Sequence, residues 1–155
     1  MSNLIYNNFG KKIIKPIRDG YITSTFDEVR GNKIHEGYDI GCKQHPCYIH
    51  SICDSIVIAS GYSQSFGWRV WASPTDEELK QKYPYIIYAH LAQHPIVKTF
   101  SKIEKGTIIG IMGNTGISRG VHLHLEARTK PDLSGKSIRI DEIEEFYGIA
   151  KPKNK

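Results

Sequence analysis

The sequence predicts a mainly β, antiparallel fold closed by one short C-terminal helix. Short runs rich in β-branched and aromatic residues recur along the chain. Fourteen glycines and seven prolines punctuate those runs as turns. A helical period is absent until the stretch that begins at Asp141. At 155 residues the chain is long enough for one hydrophobic core and too short for two comfortable ones, so a single domain over 1–155 is expected.

The strand candidates follow in order. "YITSTF" opens the β body, and "SIVIAS", "WRVWA" and "YIIYAHL" continue it. The polar segment "ASPTDEELKQKYP", with Pro74 and Pro84 near its ends, reads as an extended hairpin loop that holds one helical turn. "TIIGIMG" and "VHLHLEAR" complete the strands. In the last of these, alternation puts Val121, Leu123, Leu125 and Ala127 on a core face and His122, His124 and Glu126 on the other. The helix "DEIEEFYG" offers Asp141 as N-cap with Glu144 three residues on, an apolar stripe of Ile143, Phe146 and Tyr147, and Gly148 as its stop.

Composition narrows the function classes. With 39% hydrophobic and 24% charged residues, the chain is that of an ordinary soluble globular protein. Lysine plus arginine exceed aspartate plus glutamate by 21 to 16, and the isoelectric point near 9.1 favours polyanionic surroundings such as an acidic cell wall. The basic residues are dispersed apart from the tail at 150–155, so no nucleic-acid motif stands out. The N-terminal stretch lacks the apolar core of a secretory signal, and no segment is suited to span a bilayer. Three cysteines allow at most one internal disulfide and point to synthesis in a reducing compartment.

The chemistry concentrates in histidines. His122 and His124 would lie about 6 to 7 Å apart at Cα on one strand face, which suits one metal ligand beside one acid or base. In "HEGYD", His35 and Asp39 are a nitrogen and an oxygen donor of the kind zinc accepts. On a straight strand they would stand about 13 Å apart, so the chain must bend, and Gly37 between them permits it. His35, Asp39 and one histidine of the strand pair would supply three ligands and leave a fourth position for water. His90, in "YAHL", joins the remaining histidine as a proton carrier.

In this order, "HEGYD", "YAHL" and "HLH" resemble the signature of the lysostaphin-type, or LytM-type, zinc endopeptidases of peptidoglycan. The glycine-rich approach "EKGTIIGIMGNTGISRGVHLHLEAR" resembles that family too, and the likeness spans about 17–147. It implies an antiparallel two-sheet groove fold, zinc held by His35, Asp39 and His124, His90 and His122 as the catalytic pair, and bacterial peptidoglycan as substrate. Departures lie outside those five residues: Asp54-Ser55 replaces the usual Asp-Gly turn, Arg119 and Val121 precede "HLH" where small polar residues and proline are common, and the loop at 73–84 is long. They bear on the shape of the substrate groove.

Competing readings remain at three places. Cys42, His45, Cys47 and His50 could enclose a structural zinc. "GISRG" matches the letters of a serine-nucleophile elbow at Ser118, but it leads into a strand rather than a helix. Some relatives of such domains are noncatalytic wall-binding or amidase-activating modules. The expected setting is a bacteriophage lysin, a wall-piercing virion component, or an excised piece of an exported protein.

Overall fold

The computed structural model describes residues 10–149. The tail at 150–155 and the first nine residues, on which the reading of the N-terminus partly rests, lie outside the described residues. The chain opens with β1 (Gly20–Ser24), a small hairpin of β2 (Val29–Arg30) and β3 (Lys33–Ile34), β4 (Tyr38–Cys42) and β5 (Tyr48–His50). It continues through β6 (Ser55–Ser63), β7 (Gly67–Pro74), helix α1 (Glu77–Lys82) and β8 (Tyr85–Leu91). Then come β9 (Lys102–Ile103), β10 (Ile108–Ile111), β11 (Leu123–Arg128), β12 (Ser137–Ile138) and helix α2 (Asp141–Phe146).

The main sheet has eight strands, ordered β1-β4-β11-β8-β7-β6-β9, with β12 on β11. Every pairing is antiparallel. The second sheet is a two-stranded ribbon of β5 and β10, and β2 pairs only with β3. One face of the main sheet carries the core: Tyr38, Ile40, Val70, Ile86, Tyr88, Leu123 and Leu125 meet Ile49 and Ile109 of the ribbon and Ile143 of α2. Each such fully buried aliphatic side chain contributes about 1.5–3 kcal/mol. Alternation leaves Asp39 of β4, Ile87 and Ala89 of β8 and His124 and Glu126 of β11 on the opposite face.

Three local expectations need correction. Val121 precedes β11 and is 48% exposed, so it is not core. The polar segment is more ordered than a hairpin loop: β7 runs to Pro74, and Asp76 caps α1 by accepting from the Leu79 amide at 3.1 Å. Asp141 is the first residue inside α2, not its cap. Two tyrosine hydroxyls take the amides at that end instead, Tyr38 from Ile140 at 2.9 Å and Tyr83 from Asp141 at 3.2 Å. Glu144 is thereby turned inward, accepting from Tyr38 and Arg139. Gly148 does follow the helix, at φ +63°.

Cys42 and Cys47 form a disulfide with Cα atoms 6.5 Å apart, and Cys53 is a free, buried thiol whose pKa burial pushes up to about 11. No helix among the described residues is long and apolar enough to cross a membrane.

Candidate metal centre

The site is assembled by register. β11 lies between β4 and β8, with His124 directly opposite Asp39 on one side and Ala89 on the other. Asp39 and His124 therefore share a face as cross-strand neighbours, and His124 Nδ1 sits 2.9 Å from Asp39 Oδ1. His35 arrives from the bend before β4, where its Nε2 stands 3.2 Å from Asp39 Oδ1 and 3.3 Å from His124 Nδ1. These three donor atoms lie within 4.8 Å of one another, and no second group of this kind occurs among the described residues. The cluster of Cys42, His45, Cys47 and His50 does not assemble: its two thiols are joined, and His50 Nδ1 faces the Gly106 carbonyl at 3.1 Å.

Gly37 is required here for a reason other than the one its position in "HEGYD" suggests. Its φ is not positive; the constraint is space. A Cβ at this position would run into the Leu125 carbonyl and come within 2.9 Å of the His124 ring. Only the missing side chain lets the bend pass beneath β11.

His90 reaches the site through a bulge. Strict alternation in "YIIYAHL" would point it into the core with Ile86 and Tyr88. Trp68 pairs with Leu91 while Val70 pairs with Tyr88, so β8 carries one residue more than β7 between those pairs. His90 adopts φ +65° in that bulge, and its ring turns to within 5.0 Å of His122 and 6.0 Å of His124, centroid to centroid. A non-glycine residue held in that region costs on the order of 1–3 kcal/mol and is found mostly where function requires it. His122 lies just ahead of β11, held to Gly113 by an isolated bridge, with Nε2 3.5 Å from Asp39 Oδ1.

Each imidazole is oriented by a partner on its far side. His35 Nδ1 faces the Thr25 carbonyl at 2.9 Å and Ser24 Oγ at 3.0 Å, which turns Nε2 inward. His124 Nε2 donates to Glu126 Oε1 at 2.8 Å, which turns Nδ1 inward. Glu126 is fixed in turn by Arg128, itself held by the Gly135 carbonyl at 2.6 Å. Arg30 Nη2 donates to Asp39 Oδ2 at 3.0 Å, leaving Oδ1 for the histidines. His90 Nδ1 donates to the Thr115 carbonyl and His122 Nδ1 to that of Gly120, both at 2.7 Å. Glu126 was already on the site face by alternation, though not assigned a role; Arg30, Ser24, Thr25 and Thr115 carry no local pattern that singles them out.

The electrostatics follow from burial and these pairs. Burial alone would raise the Asp39 carboxyl, yet hydrogen bonds from His124 and His35 hold it well below the usual carboxylate range. Burial opposes charge on His124, but Asp39 and Glu126 outweigh it and push this imidazole up to about 9. Burial draws His90 below its ordinary value, against the Thr115 hydrogen bond. Two inward nitrogens and a carboxylate oxygen, each oriented from behind, form a donor set that fits a four-coordinate zinc with one position open. Ser118 donates to the Gly120 carbonyl at 2.9 Å in a glycine-rich turn and has no strand-to-helix elbow around it.

The sequence model of Peptidase family M23 matches residues 33–139. Among solved structures, a mutant catalytic domain of the prophage-encoded M23 protein EnpA from Enterococcus faecalis is similar at 23% identity and TM-score 0.65, covering 79% of this chain and 89% of that one. The antimicrobial peptidase lysostaphin from Staphylococcus simulans is similar at 20% identity and TM-score 0.70 over 86% of this chain, which spans about half (52%) of that one. A zinc-containing peptidase from Vibrio cholerae is similar at 25% identity and TM-score 0.57, over 68% of this chain and 32% of that one.

Proposed function

Because the chain belongs to peptidase family M23, we propose that it is a zinc-dependent endopeptidase hydrolysing peptide bonds in the cross-links or stem peptides of bacterial peptidoglycan. The observation that carries this reading is the convergence of His35 Nε2, Asp39 Oδ1 and His124 Nδ1 beneath the rings of His90 and His122. The three ligands would be those atoms. Zinc, when bound, supplies a Lewis acid that polarises the scissile carbonyl and acidifies water.

The remaining chemistry belongs to the chain. His90 and His122 both spend Nδ1–H on a backbone carbonyl, so Nε2 is the atom left to exchange protons. Its lowered pKa keeps His90 neutral at neutral pH, which suits it to accept a proton from the attacking water. That proton then goes to the leaving nitrogen, and His122, when it carries a proton on Nε2, donates that N–H to the oxyanion of the tetrahedral intermediate. The groove around the site, about 980 Å³ and bounded by Phe66 and Ser65 on one side and Tyr21 on the other, holds an extended peptide across these groups.

Metal analysis and a cleavage assay on purified walls test the proposal. His124→Ala should lose both zinc and activity; full zinc stoichiometry in that variant overturns its assignment. His122→Ala should keep zinc and lose about 10²- to 10⁴-fold in turnover. Mass spectrometry of products from walls with glycine bridges and walls with D-alanine cross-links identifies the bond. Tight wall binding without cleavage, with zinc restored, would instead identify a noncatalytic module. The proposed setting is a bacteriophage lysin or virion-borne wall hydrolase, tested by the genes that flank the coding sequence.

A further inference from the structure

The groove over the metal centre is lined by three cations, Arg30, Lys33 and Arg119, and by one carboxylate, Asp39. Asp39 is already committed to His35, His124 and Arg30. Lys33 on β3 and Arg119 in the turn before β11 are both exposed, and neither has a carboxylate partner among the described residues. Positive charge left uncompensated on the walls of a concave site focuses field into it.

The same lining continues past Tyr21. That ring lies flat on Gly41, where a Cβ would stand 2.8 Å from its Cζ, and it forms a wall shared with an adjoining depression of about 750 Å³. There Arg18 and Lys43 are exposed and without acidic partners among the described residues, and Asp19 is the one carboxylate. A neutral oligoglycine segment offers this trench only its own backbone groups, and its binding would leave those charges unanswered.

Resting on the peptidase reading above, we propose that the groove selects a peptide with free carboxylates beside the scissile bond, held by Lys33 and Arg119, in preference to a neutral glycine bridge. Arg30 stays on Asp39 as a positioning residue, and the Arg18 and Lys43 side receives the next acidic unit of a longer substrate. Charge pairs this exposed change affinity by about 1.4-fold to fivefold per cation, equivalent to about 0.2–1 kcal/mol each.

The test uses two synthetic branched peptides of one sequence, one with its carboxylates free and one with them amidated. Their affinities are measured by fluorescence anisotropy on the zinc-loaded full chain carrying His122→Ala, so that turnover does not consume the probe. The expected result is tighter binding of the free-carboxylate peptide, a preference that shrinks with salt and is lost in Lys33→Gln with Arg119→Gln, while the amidated peptide binds all forms alike. Equal binding of the two peptides, or a preference indifferent to both substitutions, overturns the inference. So does a polyphosphate chain that binds tighter than the acidic peptide, which would make the trench a polyanion site. With native His122, equal hydrolysis of both peptides removes this inference and leaves the peptidase reading standing. Hydrolysis of neither, with the cation-dependent preference intact, does the reverse.

Discussion

At His124 two carboxylates compete for one imidazole. Asp39 takes Nδ1 and Glu126 takes Nε2, and burial leaves neither contact to solvent. The division matters because only Nδ1 faces the other two donors, so Glu126 sets which nitrogen is available to a metal. Glu126→Gln keeps the side chain's size but removes the charge that makes His124 a stronger donor. Zinc affinity should fall about 10- to 100-fold, read by competition with a fluorescent chelator, with the fold unchanged by circular dichroism. Unaltered affinity would show that strand geometry alone orients the ring. His90 illustrates the opposite limit of legibility: "YAHL" marks it as unusual, but its parity on β8 points to the core, and only the bulge and its positive φ explain how it reaches His122.

At the scale of elements, the decisive contact is β11 against β4 and the bend that feeds β4. Gly37→Ala introduces a methyl group against the Leu125 carbonyl and the His124 ring, so strand pairing or ring position must yield. We expect a destabilisation of about 1–3 kcal/mol by denaturant unfolding together with weakened zinc binding. Loss of stability with native zinc affinity would place the strain away from the site. Helix α2 makes a contrasting case. Tyr83 receives the Asp141 amide and donates to Glu142 at 2.6 Å, far from the histidines. Tyr83→Phe should cost about 1–2 kcal/mol of stability and leave zinc stoichiometry and turnover intact. The "DEIEE" pattern foretold a helix and its length but not this cap, because a tyrosine more than fifty residues upstream competes successfully with the local aspartate.

For the molecule as a whole, protons and metal compete for one cluster. In the metal-free chain His124 has its pKa raised from about 6.5 to about 9, so the protonated imidazole stabilises the fold below pH 6.5. That contribution is lost as pH rises toward 9. Zinc requires the neutral ring and so gains affinity over the same interval. The expected outcome is a melting temperature that falls between those pH values after chelation and does not fall when zinc is saturating. Zinc at a thousand times its dissociation constant adds about 4 kcal/mol. A metal-free protein whose melting temperature rises through this window would contradict the assigned sign.

The antiparallel β body, the closing helix and the side-chain alternation over residues 123–127 were readable in the chain, because period and turn chemistry are local properties. The ordered motifs also singled out five residues for a candidate centre, through likeness to a family rather than through any local physical rule. Their meeting was not. Residues 35 and 124 come within 3.3 Å only because β11 inserts between β4 and β8 in one register, β8 bulges at His90, and Gly37 has no side chain to block the approach. The partners that aim each imidazole likewise come from other strands and loops, and the cations of the trench gather from four separate segments. Such convergence depends on long-range strand pairing, which no short window of sequence encodes.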